Sequence, residues 1–322
     1  MTLLAPPGDT LTVPMPGLEP DNLLAFMALL GLLRTLETVR PNWEPRASWK
    51  GPPWTAQLHL ATFPESTQIA QAANEGIDKL LEHFDVDKRK NVDFSPKEYR
   101  AYAKRVQSEG VGAALASALT AEWPQNRKAD TLSAAPLVMM FGQGHQNFLD
   151  RLIDVPSGAL PNRLRKLKSP PDLTDPAKIA QALFHPWRHE DEADGFRWDP
   201  EDDQRYALRY GDPSLAGAAR TVVGANRLAA IGFLSFSTAP RAKRMKAVGA
   251  ARSDREWLFV WPIWLPRLSR IGIEALLAHP DVLSGERSRV ELLGVAEIFR
   301  ARRVANGKFM NVTRARPVES SD

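Results

Sequence analysis

Few residues in this sequence have the types and spacing that chemistry needs. His185 and His189 precede an acidic run, and Asp199 and Asp202 follow in Phe196-Arg-Trp-Asp-Pro-Glu-Asp-Asp203. Imidazole and carboxylate groups ligate divalent metals, so a metal-dependent nuclease built on His185, His189, Asp199 and Asp202 is one reading. Pro186 and the acidic loop oppose the regular helix that would align two histidines four apart, and the zinc-protease spacing is missing. Asp199-Pro200 reads more simply as an Asx turn. Gly142-Gln143-Gly144 could hold a phosphate on backbone N–H groups. Neither a P-loop nor a complete dinucleotide fingerprint surrounds it, so a turn before a helix over 147–153 is the simpler reading. With no cysteine in the chain, thiol catalysis, disulfides and cysteine zinc sites are excluded. The expectation is a protein without catalysis, metal or cofactor.

The cationic residues say more. Net charge is only +4, but residues 241–316 hold 16 Lys and Arg against 7 Asp and Glu. Residues 185–203 hold 8 acids against 2 Arg. A basic C-terminal quarter points to a polyanion, most simply nucleic acid. Four clusters could meet phosphates: Lys88, Arg89 and Lys90; Arg163, Arg165, Lys166 and Lys168; Arg241, Lys243, Arg244 and Lys246 with Arg252; and a C-terminal hairpin with Arg300, Arg302, Arg303, Lys308, Arg314 and Arg316. The glycine-containing stretch Ala239–Arg252 is the leading phosphate-contact loop, because Lys and Arg release condensed counterions when they meet a nucleic-acid backbone. Gln143, Asn147 and Asn226 have side chains suited to reading base edges. Trp43, Trp49 and Trp54 could stack bases, but a lid over a core is the commoner fate of tryptophan.

The elements that must position these groups centre on Leu23–Leu33, apolar at nearly every position. A helix apolar all round is buried, and this run is shorter than the ~20 residues that span a bilayer. Asp21 or Asn22 can cap it and Pro20 suits its first turn; Gly31 in mid-helix implies a closely packed backbone. A long small-residue helix within 213–236 is expected to meet it. Further helices are expected over 66–84, from a Ser95-Pro96-Lys97-Glu98 start, from Asp175-Pro176, and from Ser269 to His279. Strands are expected at 10–13, 56–60, 204–210 and 257–264. A hairpin is expected over 291–304 and 308–316 about Asn306-Gly307. The fold class is α+β, mixed and helix-rich, with antiparallel strands near both termini and a buried N-terminal helix. The terminal strands are expected to meet in one sheet. Residues 1–170 form an α-rich lobe and 171–322 a basic α+β lobe, or the two make one domain. No signal peptide is expected, which suits the cytoplasm.

Four segments together resemble proteins of type I CRISPR systems, especially the type I-G (I-U) group. They are Leu18–Arg34, Phe196–Asp202, Gly224–Ala229 and Gly294–Arg303, in one order over most of the chain. The resemblance implies a non-catalytic, large-subunit-like component of a crRNA-guided surveillance (Cascade) complex. Such a subunit recognises the motif beside the target, helps R-loop formation and recruits a nuclease. Implied partners are crRNA, target double-stranded DNA, the backbone and crRNA-end subunits, and the nuclease or helicase-nuclease. Many such subunits are considerably longer, so the resemblance implies a form whose C-terminal helical bundle is absent or separate. The competing readings are the nuclease and a protein-interaction subunit whose basic surface serves an acidic partner.

Overall fold

The structure, a computed structural model, describes residues 10–122, 131–140, 147–201, 220–241, 244–253, 256–306 and 309–319. The fold is α+β, with two antiparallel sheets and helices between and around them. Helix α1 (Leu23–Val39) starts where Asn22, in extended backbone, accepts hydrogen bonds from the N–H groups of Leu24 and Ala25. Pro20 therefore lies ahead of the cap rather than in the first turn. Every residue from Leu23 to Leu33 is buried.

Helix α2 (Ser66–Leu81) packs on one side of α1. Helices α3 (Pro96–Val106), α4 (Gly110–Leu119), α5 (Phe148–Asp154), α6 (Asn162–Arg165) and α7 (Pro176–Phe184) follow. The α3 start is the expected capping box: Ser95 accepts from the Glu98 N–H, and Glu98 accepts from the Ser95 N–H. Asp175 caps α7. Helix α8 (Val223–Gly232) is buried at every position and lies along α1. Two glycines make this contact possible. A Cβ at Gly31 would sit 1.8 Å from the Leu228 carbonyl oxygen, and one at Gly232 would sit 2.0 Å from that of Met27. Residues Phe233–Ser235 continue as a 3-10 turn rather than entering a strand.

The first sheet holds β1 (Leu11–Met15), β2 (Arg46–Lys50) and β3 (Thr55–Leu60), with β3 central. His59 bridges its neighbours: Nδ1 meets the Thr12 hydroxyl at 3.0 Å and Nε2 the Ser48 hydroxyl at 2.8 Å. The second sheet holds β4 (Thr238–Arg241), β5 (Arg244–Ala247), β6 (Ala250–Ser253), β7 (Glu256–Trp264), β8 (Val295–Asn306), β9 (Phe309–Val312) and β10 (Arg316–Pro317). Its order is β10-β8-β7-β6-β5-β4, with β9 also on β8. The terminal strands thus form two sheets, not one; a single bridge, Ala47 to Leu268, links the β2 region to the chain after β7. The stretch expected as a phosphate loop, Ala239–Arg252, is two hairpins instead, and the expected strand from Glu291 begins only at Val295, after Gly294. The expected strand at 204–210 lies outside the described residues.

Phe26 of α1 stacks on Trp261 of β7 at 5.7 Å and meets Trp264 edge-on at 6.3 Å. So α1 lies between α8 and the C-terminal sheet. One buried apolar cluster draws on residues from both halves of the chain. Helix α9 (Arg270–Ala278), capped by Ser269 as expected, is ion-paired to α1 through Arg34–Glu274 and Glu37–Arg270, and α10 (Pro280–Ser284) and α11 (Arg287–Val290) then pack on β6, β7 and β8. Trp43 and Trp49 are buried and Trp54 half-buried, so the tryptophans are a lid and not a stacking surface.

Two predictions follow from this frame. Gly31→Ala drives a methyl into the Leu228 carbonyl and costs about 3 kcal/mol, the upper part of the usual overpacking range. Urea denaturation should show a lower midpoint; an unchanged midpoint would refute the backbone contact. Burial, with Arg267 adding, holds the His59 imidazole down to about 4. The folded state therefore prefers neutral His59. Its contribution is present above the unfolded value near 6.5 and is lost as pH falls from there through 4. His59→Gln should flatten that part of the acid-side fall in stability; an identical pH profile would contradict the assignment.

Candidate nucleic-acid interface

Antiparallel neighbours share a side of the pleat, so register tells which side each residue occupies. Across β10, β8 and β7, Arg316 faces Arg300 and Arg300 faces Val260. Two residues along, Arg302 faces Leu258, which faces Ala251 of β6. Ala247 pairs Ala250, so the alternate positions Arg244 and Lys246 fall on the Arg300 side, with their partners Arg241 and Ala239. The opposite side carries Phe259, Trp261, Phe299 and Ala301 toward α1. The sheet thus keeps its apolar side for the core and places five basic positions plus Lys246 on the outer side.

The β4–β5 hairpin sets Arg241 directly opposite Arg244. Arg241 and Lys246 are exposed, with no carboxylate partner among the described residues. Like charges directly opposite in a ladder destabilise it. A bound polyanion would relieve that cost. At the other edge, a groove of about 960 Å³ lies over β8 and residues 313–319, lined by Arg300, Arg302, Arg314 and Arg316 with Leu258 and Val318. The Arg302 guanidinium pairs with Glu256 at 2.8 Å. Arg300 donates to the Ser284 carbonyl at 3.1 Å.

Other expected contacts have structural roles. Arg314 binds Glu19, Asp21 and Glu201 at 2.6–2.8 Å, pinning the C-terminal segment to the start of α1. Arg303 is half-buried and donates to the Pro136 carbonyl; burial, with Arg252 nearby, holds its guanidinium down to about 10. Arg89 is held by Asp93 and Glu98 over the Phe94 ring, and Arg165 donates to the Leu160 carbonyl. Arg252 lies 5.9 Å from the Trp257 ring centre. Lys88, Lys90, Lys166 and Lys168 are exposed on separate turns. Gln143, Lys243, Lys308 and Asp202 lie outside the described residues, as do the side chains of Arg163 and Arg244.

Two of the expected base readers, Asn226 and Asn147, are engaged within the fold. Asn226 is buried: its Oδ1 accepts from the Phe196 N–H and its Nδ2 donates to the Val222 carbonyl. Nothing of it is left to read a base. Asn147 donates to Asp150 in a cavity of about 440 Å³ that also holds Asp154 and Asp194. Burial, with Asp150 adding, raises the Asp154 carboxyl. Arg151 and Arg165 also line it, so with three carboxylates the cavity has no surplus of positive charge for a phosphate backbone.

Of the expected nuclease residues, the structure brings His189 and Asp199 together but leaves His185 apart. His185 is exposed at the end of α7. His189 is buried, with Nε2 2.8 Å from Asp199 Oδ2. Asp199 Oδ1 accepts from Asn22, the cap of α1, and from the Glu201 N–H, closing the expected Asx turn. Among the described residues, no group of three or more His, Asp and Glu is placed to hold a metal ion. No helix among them is long and apolar enough to cross a membrane.

The Arg300–Arg316 pairing was not legible in the sequence. β9 continues the hairpin with Arg303 opposite Val312, and one extra residue is then taken up before β10. A one-residue shift reverses the side a residue occupies, so Arg316 and not Ala315 faces Arg300.

Comparison with protein-family models, curated proteins and solved structures yields no match.

Asn226→Ala leaves the Phe196 N–H unsatisfied and should lower unfolding free energy by about 1–3 kcal/mol, read by urea denaturation. Wild-type stability with altered sequence preference in DNA binding would restore Asn226 as a base reader.

Proposed function

We propose that this chain is a non-catalytic, nucleic-acid-binding subunit of a crRNA-guided DNA surveillance complex, similar to the large subunits of type I CRISPR effectors. On this reading it acts in the cytoplasm. It meets the duplex beside the target, helps open it, and works with crRNA, backbone and crRNA-end subunits and a recruited nuclease. The observation that carries the nucleic-acid half of the reading is the β4–β5 hairpin, where Arg241 opposes Arg244 and Lys246 follows on the same side. Phosphates would supply the missing counter-charge, binding by position rather than by sequence. Complementarity to the target would rest with the guide RNA, as in RNA-guided systems generally.

The family half rests on the four resembling segments, and their placement is coherent. Leu24 of the first donates its N–H to the Trp198 carbonyl of the second. Phe196 of the second donates to Asn226 of the third. Phe299 of the fourth stacks on Trp261, which stacks on Phe26 of the first. All four meet in one frame, and they are frame rather than contact surface.

Two measurements test the reading. Fluorescence anisotropy with a labelled duplex, over a salt series, should show that Arg241→Ala with Lys246→Ala weakens binding. It should also flatten the dependence of log affinity on log salt by up to about 2. Unchanged affinity and slope would remove the hairpin from the interface. With Mg²⁺ or Mn²⁺ the bound DNA should stay intact; cutting that His185→Ala abolishes would establish the nuclease instead.

A further inference from the structure

We infer that the groove over β8 and residues 313–319 is a second site, distinct from the β4–β5 hairpin, and that it takes the phosphates of a single-stranded nucleic acid. It shares with the proposed function only the premise that phosphate is the ligand. Four arginines line it and Glu319 is the one carboxylate among its described lining residues. Two of the four are compensated elsewhere: Arg302 by Glu256, and Arg314 by Glu19, Asp21 and Glu201. The other two are not. Arg316 is exposed and has no partner among the described residues. Arg300 has only the neutral Ser284 carbonyl, and its Nε is buried without a hydrogen-bond partner.

These two arginines stand directly opposite each other in the ladder. Cross-strand neighbours are about 5 Å apart at Cβ, so one anion can bridge both. The guanidinium fork matches phosphate geometry with paired N–H donors, and a charge-assisted bond is roughly twice as strong as a neutral one.

Shape selects the class of ligand. The groove, about 960 Å³, is a hollow on the face of β7, β8 and β10, over Leu258, Ala315, Pro317 and Val318. That volume is at the upper end of ordinary small-ligand sites. A hollow of that volume takes a nucleotide-sized length of single strand, whereas a duplex is too wide to enter it and would meet only its rim. The floor offers apolar contact for sugars and bases but no aromatic platform. Stacking would therefore fall to the arginine planes, which makes binding tolerant of sequence.

The test uses the full chain and anisotropy with labelled oligothymidylate and labelled duplex in parallel. Arg316→Glu should weaken oligothymidylate binding about tenfold or more, roughly 1.4 kcal/mol, and leave duplex affinity within about twofold. Arg316→Ala should fall between, and Arg316→Lys should retain most of the affinity; all three should unfold at the wild-type temperature, since Arg316 has no partner to lose. Arg241→Ala with Lys246→Ala should show the reverse pattern, losing duplex and keeping oligothymidylate. Unchanged oligothymidylate binding in Arg316→Glu would overturn the inference while leaving the hairpin reading standing. Competition by adenosine monophosphate as effective as by oligothymidylate at equal phosphate concentration would make the groove a small-anion site and also overturn it.

Discussion

The constraint on which the rest depends is the backbone contact between α1 and α8. Gly31 meets the Leu228 carbonyl and Gly232 meets that of Met27, so each helix supplies the glycine the other requires. No side chain separates them there, which leaves the rest of α1 free to serve other partners. Phe26 reaches Trp261 and Trp264 in the C-terminal sheet. The cap of α1 is tied through Asn22 to Asp199 and on to His189. Just before the cap, Glu19 and Asp21 hold Arg314, and the Asp21 carbonyl accepts the Ala315 N–H. One part of the basic groove is thus anchored to the start of α1, whose residues from Leu23 to Leu33 are all buried. Rigid support of this kind is what a binding surface needs if its ligand is not to meet the ordering cost.

Charge in the protein divides into cations that hold the fold and cations without a partner among the described residues. Arg227 is fully buried on α8, donating to the Pro156 carbonyl and Asn74, and burial lowers its affinity for the proton. Arg34 is similarly enclosed with Glu274, and its guanidinium falls to about 10 through burial, with Arg270 adding. Such groups stay because removing one would leave partners unsatisfied. Arg241, Lys246 and Arg316 make no such bonds among the described residues, and all lie on the outer side of one sheet. Total charge understates this sorting, since the net value is only +4.

The apolar run from Leu23, the glycine within it, the Ser95 box and the Asp175 and Ser269 caps were readable because each is decided within a few residues of chain. The tryptophan lid was readable for a similar reason, since large apolar surface seeks burial wherever it lies. The hairpin strands of 238–253 were not, because basic and small residues carry no clear alternation and only their pairing makes them a sheet. The roles of Arg314 and Asn226 were also hidden. A guanidinium or an amide reads the same in sequence whether it faces solvent or a partner, and Arg314 meets acids nearly the whole chain away. The opposed arginines at 300 and 316 depended on a one-residue register shift that no local signal marks.

The central claim is that the outer side of the C-terminal sheet is where nucleic acid meets this protein. Photo-crosslinking of the full chain to DNA carrying halogenated pyrimidines, followed by mass spectrometry of the crosslinked peptides, addresses it without altering any residue. The account predicts crosslinks concentrated in 238–253 and 300–319 and fading as salt is raised. Crosslinks confined to the Lys88–Lys90 or Arg163–Lys168 turns, or none at low salt, would contradict it.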